Sequence, residues 1–432
     1  MKILYLAHRI PYPPNKGDKI RTFNEIKHLS AGNEIHLLAL ADNPDDIKFQ
    51  ADLRPYCEQV RIFALNTTLA RLKSLTALAG SGPLSAAYFY VPKLQKTLDQ
   101  WLETHEYDAI ICFSSPMAEY LFHAPALNTR FSPGMSQNPP TRPVLIMDFC
   151  DLDSQKWHQY TKQSRLALRM IYKTESRRLL AYEKQINQAF DHSVFVSQIE
   201  VDLFKQLYPD AANLTAIQNG VDTAYFSPAA AFPPVSLRDT ENQKVLVFTG
   251  AMDYYANVDG VTWFCQEIFP SVKETFPDAL FYIVGSNPAS GVRELARIPG
   301  VRITGFVDDI RPYYHGADLC VIPLRIAAGV QNKILEAMAM ARPVVTTANA
   351  FKGIAGKPGT HALVEDTPSG FAHAVIRLLE DDTHRLALAR TAHAFILDTF
   401  NWKTNMAQLE NLVCTHQQAP PPSPSQTTGS LQ

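Results

Sequence analysis

The sequence predicts an α/β protein with two doubly wound domains, each a parallel sheet covered by helices. Short apolar runs alternate with longer segments of helical periodicity along most of the chain, which is typical of β-α units. The alternation stops at 219–243, a segment rich in Pro, Ala and polar residues, and then starts again. The length of 432 residues also exceeds what one hydrophobic core usually organises. We therefore expect two facing domains, with ligands in a cleft at the carboxyl ends of the strands.

Six apolar runs in each half predict the strands of one sheet. The runs are KILYLA, EIHLLAL, QVRIFAL, AIICFSS, PVLIMDF and HSVFVS in the first half, and VLVFTG, LFYIVG, VRITGF, LCVIPL, PVVTT and ALVE in the second. Helical periodicity lies at 18–31, 92–104 and 160–188, and then near 258–275, 308–315, 331–341 and 368–380. The two halves therefore predict sheets of the same kind.

Composition excludes several classes of protein. A formal net charge of -2 argues against a protein that coats nucleic acid, because phosphate binding at scale needs a basic excess. The six cysteines form no CxxC pair, which fits a reducing compartment, and we expect a cytoplasmic protein. No stretch approaches the roughly 20 apolar residues that span a bilayer.

The stretch AAGVQNKILEAMAMARPVV at 327–345 predicts a core helix that begins with three unusual residues. Gly329, where the loop enters the helix, lets a ligand approach the backbone, and the first-turn N–H groups form an anion site. Lys333 opposes the helix dipole by about 0.3–1 kcal/mol unless an anion lies between them. Glu336 lies on the same face and can accept two O–H groups from a ribose diol. The spacing predicts a nucleotide site, and a solvated Lys–Glu pair is the alternative.

With the segments around it, this stretch resembles the signature of retaining glycosyltransferases of family 4. That signature is a glutamate, seven residues and a second glutamate leading into an EAMA-type helix. QNGVDTAYFSP resembles the interdomain segment of the family, VFTGAMDYYANVDGVTWF its first C-terminal β-α unit, GFVDDIRPYYHGADLCVIPL its base-side loop, and DTFNWKTNMAQLENLV its terminal helix. With HRIPYPPNKGDKIRTFNEIKHLS and DFCDLDSQKW, they are most similar to a subgroup accompanying exosortase and PEP-CTERM systems, thought to build exopolysaccharide.

The resemblance implies the GT-B fold, an α/β architecture of two facing Rossmann-like doubly wound domains with an interdomain cleft. We expect an acceptor-side domain at 1–225, a linker at 226–243 and a nucleotide-sugar-binding domain at 244–398. A crossover helix at 399–416 would pack on the first domain. The tail at 417–432 would be disordered, because it has too few apolar residues to form a core.

The resemblance also implies roles for individual residues. Donor binding is expected of Gly17, in the loop after the first strand, and of Gly250, after the first strand of the second domain. Phe306 and Val307 of the base-side loop are expected to contact the donor as well. The remaining donor-binding residues lie before and around the helix start: Arg325, Gly329, Gln331, Asn332, Lys333 and Glu336. Lys333 and Glu336 would also act in catalysis, together with Asp151. By the resemblance Gly17 lets the backbone approach the transferring sugar or its phosphate, and Asp18 opens the helix as a cap. A glycine that only makes a turn is the alternative at Gly17.

Three aspartates, Asp148, Asp151 and Asp153, follow a predicted strand end in DFCDLD and are expected to border the cleft. The run DLD also resembles the metal-binding DxD of the single-domain GT-A fold. Because a helix start can neutralise phosphates by itself, we expect no metal requirement. An acceptor contact or a helix cap is then the expected role of DLD.

Two departures from the family pattern concern the donor site. Ala328 stands where the family has its first glutamate, which contacts the hydroxyls of the donor sugar. GAMDYYANVDG holds no Arg or Lys, although the family commonly has both there. Arg325 and Lys333 remain as nearby cations that could balance a diphosphate, and an arginine can do so with two donors.

These features predict a glycosyltransferase that moves a sugar from a nucleotide diphosphate donor to a hydroxyl acceptor, and the resemblance implies that the anomeric configuration is retained. Exopolysaccharide or cell-surface glycan synthesis is the expected pathway, with no resident cofactor. A lipid-linked acceptor fits 161–184, which carries seven basic and two acidic residues and could lie on the anionic inner membrane. A solvated helix face explains that pattern equally.

Three other functions are weighed against this one. A nucleotide-sugar epimerase on the same fold would turn over donor with no acceptor present. A non-catalytic assembly subunit would bind the nucleotide sugar without turnover, which the absent first glutamate favours. A nicotinamide-dependent dehydrogenase is disfavoured, since neither first β-α turn carries G-x-G-x-x-G.

Overall fold

The computed structural model describes residues 1–14, 16–128, 143–163, 166–327 and 329–414. Side chains are described for all of these except 162, 163, 166 and 167. Ala328, the tail at 417–432 and part of the basic segment at 161–184 lie outside the described residues. The chain divides into two compact units. Unit 1 comprises Met1–Phe195, Phe204–Ile217 and the chain from Met406, and unit 2 comprises Val196–Leu203 and Gln218–Asn405.

Unit 1 contains a seven-stranded parallel sheet in the order β3-β2-β1-β4-β5-β6-β7. Its strands are β1 (Lys2–Ala7), β2 (Glu34–Ala41), β3 (Gln59–Ala64), β4 (Ala109–Phe113), β5 (Val144–Cys150), β6 (His192–Phe195) and β7 (Leu214–Ala216). The central strands are apolar along nearly their whole length, because helices cover both faces of a doubly wound sheet. In register, Tyr5 of β1 pairs with Leu37 on one side and Ile111 on the other.

The helices of unit 1 follow its strands as crossover connections. They are α1 (Gly17–Leu29), α2 (Thr67–Thr76), α3 (Leu84–Phe89), α4 (Pro92–Thr104), α5 (Ala118–Phe122), α6 (Asp153–Gln163), α7 (Leu166–Ala189) and α8 (Gln198–Leu207), of which α8 begins within the part assigned to unit 2. Short 3-10 turns lie at Pro44–Leu53, Ala77–Ala79, Ser115–Met117 and Pro125–Leu127.

Unit 2 contains a six-stranded parallel sheet in the order β10-β9-β8-β11-β12-β13. Its strands are β8 (Val245–Thr249), β9 (Leu280–Val284), β10 (Val301–Gly305), β11 (Leu319–Ile322), β12 (Val344–Thr346) and β13 (Leu363–Val364). Numbered within the unit, this is the strand order 3-2-1-4-5-6 of dinucleotide-binding folds. The order reverses between β8 and β11, and ligands of such sheets bind at that reversal.

The helices of unit 2 pack their apolar faces on this sheet and enclose one large core. They are α9 (Tyr255–Trp263), α10 (Phe269–Thr275), α11 (Ser290–Glu294), α12 (Arg311–Gly316), α13 (Asn332–Ala339), α14 (Ala348–Phe351), α15 (Pro368–Glu380) and α16 (Asp382–Thr399). A π-helical turn at Phe264–Ile268 joins α9 to α10, and a 3-10 turn at Leu295–Arg297 follows α11. The last helix, α17 (Trp402–Cys414), begins in unit 2 and ends in unit 1.

The predicted fold class is confirmed, and all twelve predicted strands are present. Some elements differ from the sequence prediction. The helix predicted near 258–275 is divided by the π-helical turn at Phe264–Ile268. β7 was not expected, because three residues are too few to show a strand period. The helical stretch at 160–188 is two helices, α6 and α7. Among the described helices, none combines the length and the apolarity that crossing a membrane requires.

Candidate functional site

The site of interest in unit 2 lies where β8 ends, beside the reversal of the strand order. Gly250 follows β8 and Gly285 follows β9, and the two backbones touch there. A Cβ added at Gly285 would lie 1.7 Å from the carbonyl oxygen of Gly250, so only glycine fits at 285. The Gly250 N–H donates to the Val284 carbonyl at 3.0 Å. The glycines thus bring bare backbone to the edge of the sheet where a ligand would lie.

Lys333 reaches this edge from the first turn of α13. Its Nζ donates a 2.6 Å hydrogen bond to Asn257 Oδ1 and lies 4.6 Å from the ring centre of Phe248. A Cβ added at Gly250 would lie 3.1 Å from this Nζ, so the ammonium group sits directly over the end of β8. Burial lowers the pKa of Lys333 to about 8, while Glu336 opposes that shift. A lysine held inward in this way is not a solvated surface residue.

Glu336 joins a second, separate network one turn further along α13. Tyr314 OH donates to Glu336 Oε2 at 2.8 Å, and Thr249 Oγ1 lies 2.7 Å from the same hydroxyl. Burial raises the pKa of Glu336, and the hydrogen bond from Tyr314 and the charge of Lys333 lower it. Tyr314 is 1% exposed, so the carboxylate is held in one orientation at the end of β8.

The start of α13 has the form of an anion site. Gln331 is the residue before the helix, and its side chain does not cap the first-turn amides. Gly329 adopts φ of 63°, a left-handed conformation that favours glycine. Its carbonyl would lie 2.6 Å from a Cβ added at Gly353. The loop from Gly329 therefore packs tightly against the segment after α14, and this contact fixes where α13 begins.

Arg325 contributes less charge to the site than the sequence suggested. Its guanidinium makes two hydrogen bonds to Asp259 of α9, of 3.0 and 2.5 Å, and lies 5.5 Å from the ring centre of Trp263. The Asp259 carboxylate thus already pairs with Arg325, and the hydrogen bonds between them raise the pKa of Arg325. The side chain nevertheless remains 48% exposed, so it can be reached from solvent.

The predicted base-side loop begins directly after β10. Gly305 adopts φ of 71° and turns the chain outward, which leaves the Phe306 side chain 74% exposed. Val307 is half-buried and packs against the small apolar cluster beside β8 and β9. A large aromatic ring presented to solvent at a strand end offers a flat apolar surface.

The predicted residues of unit 1 lie at the edge formed by the ends of β1 and β5. Gly17 opens α1, and an added Cβ there would meet no atom within 4 Å. Its φ is outside the left-handed region, so the geometry of a turn does not require glycine at this position. The expected cap at Asp18 was wrong, because Lys16 precedes the helix and caps nothing. Instead, the Asp18 carboxylate pairs with Arg9, which lowers its pKa together with His8.

One of the three aspartates is a core residue. Asp148 is 0% exposed and accepts hydrogen bonds of 2.8 and 2.6 Å from Arg21, which is itself fully buried. Its expected place at a cleft edge was therefore wrong. Asp151 follows the strand and is half-buried, and Asp153 is the first residue of α6. Burial raises the pKa of Asp153.

The structure brings together one part of the predicted set. Lys333, Glu336 and Gly250 meet at the end of β8, with Gln331 and Asn332 in the adjoining helix start. Sequence reasoning missed the residues that hold them, which are Asn257, Tyr314 and Thr249. A polar side chain at the last position of an apolar strand, as at Thr249, was the available signal. Across the described ranges, no cluster of His, Cys, Asp and Glu could hold a metal ion.

Two parallel-sheet Rossmann-like units with a site at the strand reversal define the architecture of GT-B glycosyltransferases. Residues 243–381 match the sequence profile of a family described as "Glycosyl transferases group 1". This range contains every residue of the site at the end of β8. The match and the architecture together support the glycosyltransferase class.

Particular relatives agree with this class. A glycogen synthase of Mycobacterium tuberculosis is 26% identical over 241 residues, which cover 53% of this chain and 55% of that protein. The chain thus spans about half the length of the curated relative. Sucrose-phosphate synthase from Thermosynechococcus elongatus has the same fold, with a TM-score of 0.64 at 18% identity over 95% of this chain and 98% of that one. The structure of Anabaena HepE in complex with UDP is similar to this chain with a TM-score of 0.63 at 17% identity, over 95% of this chain and 99% of that one.

Proposed function

We propose that this protein transfers a sugar from a nucleotide diphosphate donor to a hydroxyl acceptor, with retention of the anomeric configuration. The observation that carries the proposal is the position of Lys333, an inward-facing ammonium group over the end of β8 and beside the start of α13. A buried cation next to helix N–H groups is a stable arrangement when an anion lies between them. The match to glycosyltransferase group 1 over 243–381 and the UDP bound by Anabaena HepE favour a nucleoside diphosphate as that anion.

Each part of the site has a proposed partner on the donor. The amides from Gly329 to Lys333 and the Lys333 ammonium hold the two phosphoryl groups. Glu336, oriented by Tyr314, accepts the two hydroxyls of the ribose. Phe306 and Val307 contact the base, and Gly250 leaves room for the phosphates at the strand end. Gly17 lies in the loop of unit 1 that is proposed to approach the transferring sugar.

Catalysis then depends on stabilising the leaving diphosphate. Negative charge grows on the β-phosphate as the glycosidic bond breaks, and the N–H groups with Lys333 are already placed to receive it. Losing one such donor typically costs on the order of 3–4 kcal/mol in the barrier. The acceptor oxygen attacks on the face that the diphosphate leaves, and a phosphate oxygen takes its proton. Asp151 is proposed to act on the acceptor side, and no metal ion is needed.

Arg325 is proposed as an auxiliary donor contact. Its bidentate pair with Asp259 means that a phosphate must compete with a carboxylate for the guanidinium. An ion pair in which one side chain is about half exposed contributes little to stability, so the guanidinium can change partners at a small cost in free energy. Lys333 donates to Asn257, and no carboxylate among the described residues lies within ion-pair distance of it, so it is proposed to carry the larger part of phosphate binding.

The finer proposals concern pathway and acceptor. By the resemblance of its motifs, the chain belongs with the retaining transferases of family 4 in exopolysaccharide or cell-surface glycan synthesis, of the kind that accompanies exosortase systems. A hydroxyl on a lipid carrier is the proposed acceptor. The protein would then work at the cytoplasmic face of the inner membrane, touching it through 161–184.

A second candidate is a non-catalytic subunit that binds nucleotide sugar. It is favoured by Ala328, which stands at the position of the first motif glutamate and supplies no group to contact the donor sugar. Such a subunit would keep the diphosphate site at α13 and lose turnover.

The test measures diphosphate release from several UDP- and GDP-sugars, with and without a lipid-linked acceptor. We expect release that depends on the acceptor, and proton NMR of the product showing the donor's anomeric configuration. Lys333→Ala and Glu336→Gln should reduce transfer at least about a hundredfold with little change in melting temperature. Lys352→Ala and Glu274→Gln, at exposed positions of unit 2, are the matched controls.

Other outcomes separate the alternatives. Donor turnover without acceptor would indicate an epimerase or hydrolase. UDP or GDP binding with no turnover under any acceptor would indicate the non-catalytic subunit. A large loss of stability in Lys333→Ala with activity retained would show that α13 carries these residues for structure alone.

A further inference from the structure

Helix α2 of unit 1 presents its leucines to solvent. Leu69, Leu72 and Leu75 are 50%, 58% and 55% exposed, whereas Ala70 on the opposite side is 2% exposed. Residues three apart follow one another along a helix surface, so the three leucines form a continuous outward stripe. We name Leu69, Leu72 and Leu75 the leucine stripe. A contiguous apolar stripe of this kind on a water-exposed helix marks an interaction surface.

The charges around the leucine stripe have one sign. Arg71 is exposed on one flank of the helix and Lys73 is half-buried on the other. From Asn66 to Tyr90 the chain contains no acidic residue. An apolar stripe flanked by long basic side chains is the pattern of a helix that lies in a membrane interface. Its leucines enter the acyl boundary there, and its cations reach the headgroups.

Helix α2 is held to the body of unit 1 at its carboxyl end. Arg178 of α7 donates to the carbonyls of Ala77 and Leu78 at 3.0 Å each. Glu175 of α7 accepts from the amides of Leu84 and Ser85 at 2.6 and 2.9 Å. These bonds fix the segment that follows α2, so the leucine stripe is presented on a braced helix.

The same bracing helix carries further basic and apolar groups. On the described part of α7, Arg169, Lys173 and Arg177 are exposed, as are Leu168 and Met170, at 47% and 69%. The helix that braces the segment after α2 thus adds three exposed cations to unit 1. Each Lys or Arg held close to an anionic lipid surface adds about 1 kcal/mol of attraction, which salt weakens.

We propose that the leucine stripe docks unit 1 on an anionic lipid bilayer. The partner is a lipid surface, because both charged residues of α2, Arg71 and Lys73, are basic and the three leucines between and beside them face solvent as a single row. The proposal concerns the leucines of α2, which lie outside the segment at 161–184, although cations of that segment add to the attraction, and the binding is measured without any donor sugar. Its failure therefore leaves the proposed sugar transfer untouched.

The test is co-sedimentation of the full chain with phosphatidylcholine vesicles that do or do not contain phosphatidylglycerol. We expect binding to the anionic vesicles that weakens as salt is added. The triple variant Leu69→Ser, Leu72→Ser and Leu75→Ser should bind at least about tenfold more weakly, because three leucines no longer enter the apolar layer of the bilayer. The control Leu386→Ser with Leu397→Ser removes leucines of similar exposure from unit 2 and should bind like the natural chain.

Two further measurements make the result decisive. Leu72→Trp should show a blue-shifted emission on anionic vesicles, quenched by brominated acyl chains, because the side chain enters the apolar layer. Unchanged melting temperatures would show that the serine variants remain folded. Equal vesicle binding by the triple variant would overturn the proposal. So would a leucine-dependent dimer in the absence of lipid, which would assign the leucine stripe to a second copy of the chain.

Discussion

The charge on Lys333 should make donor binding depend on pH in a specific way. Burial holds its pKa at about 8, below the ordinary 10.5. A diphosphate beside Nζ favours the ammonium form and raises the pKa again. Below pH 8 the lysine is already charged and binding does not change its protonation. Above pH 8 each UDP or GDP that binds should take up close to one proton, so affinity falls by up to about tenfold per pH unit.

The lowered pKa of Lys333 also determines whether the folded protein becomes more or less stable as the pH rises. The folded state disfavours the ammonium, and a shift from 10.5 to about 8 corresponds to at most roughly 3 kcal/mol. This penalty is fully present below pH 8 and disappears as the pH approaches 10.5, so it makes stability rise across that range. Lys333→Met removes the penalty but leaves Asn257 Oδ1 without its donor, which costs about 1–3 kcal/mol. The two effects nearly cancel.

Calorimetry tests both statements. Titrating UDP from pH 6.5 to 9.5 in buffers of different ionisation enthalpy counts the protons taken up. We expect about one proton above pH 8 in the natural chain and none with Lys333→Met, with UDP affinity lowered about tenfold to a hundredfold in the variant. Melting temperatures at pH 7 should agree within a few degrees. Proton uptake that survives in Lys333→Met, or a variant that melts far lower while binding UDP normally, would contradict the role assigned to Lys333.

Three other substitutions test the surroundings of the site. Gly285→Ala should prevent correct folding of unit 2, measured by soluble yield and calorimetry, since the new Cβ overlaps a backbone oxygen; normal folding would contradict the close approach. Tyr314→Phe should raise the pKa of Glu336 further, because it removes the hydrogen-bond donor to this carboxylate. UDP should then bind more weakly at acid pH. An unchanged pH dependence of UDP affinity would show that Tyr314 does not act on binding through Glu336. Arg21→Leu should lower the unfolding free energy by about 3–5 kcal/mol, because it leaves the buried carboxylate of Asp148 without its ion-pair partner. A denaturant midpoint like that of the natural chain would contradict this.

The sequence predicted the central strands well because they are buried on both faces. Such strands are continuous apolar runs, and their order of appearance with helices between them indicates a parallel sheet. β7 escaped prediction because it is short and only half-buried. The fold class follows from this pattern, which is local along the chain.

The site was predictable only in part, because its partners are distant in sequence. Helical spacing places Lys333 and Glu336 on one face, yet it does not reveal that Lys333 bonds Asn257, 76 residues away, while Glu336 bonds Tyr314. Asp148 and Asp151 looked alike as acidic residues near a strand end. They differ because Asp148 lies within β5, where its side chain meets the buried Arg21. The sequence contains no local sign of that arginine, 127 residues earlier.

Helix α17 has a consequence for biosynthesis. Met406, Leu409 and Val413 are 0%, 1% and 2% exposed and are grouped with unit 1, and Glu410 lies 3.1 Å from His28 of α1. The ribosome makes α17 only after all of unit 2. A nascent chain whose first 217 residues have emerged therefore still lacks part of the hydrophobic interior of unit 1. Vectorial folding, in which the amino-terminal unit matures during translation, cannot finish here until α17 has been translated.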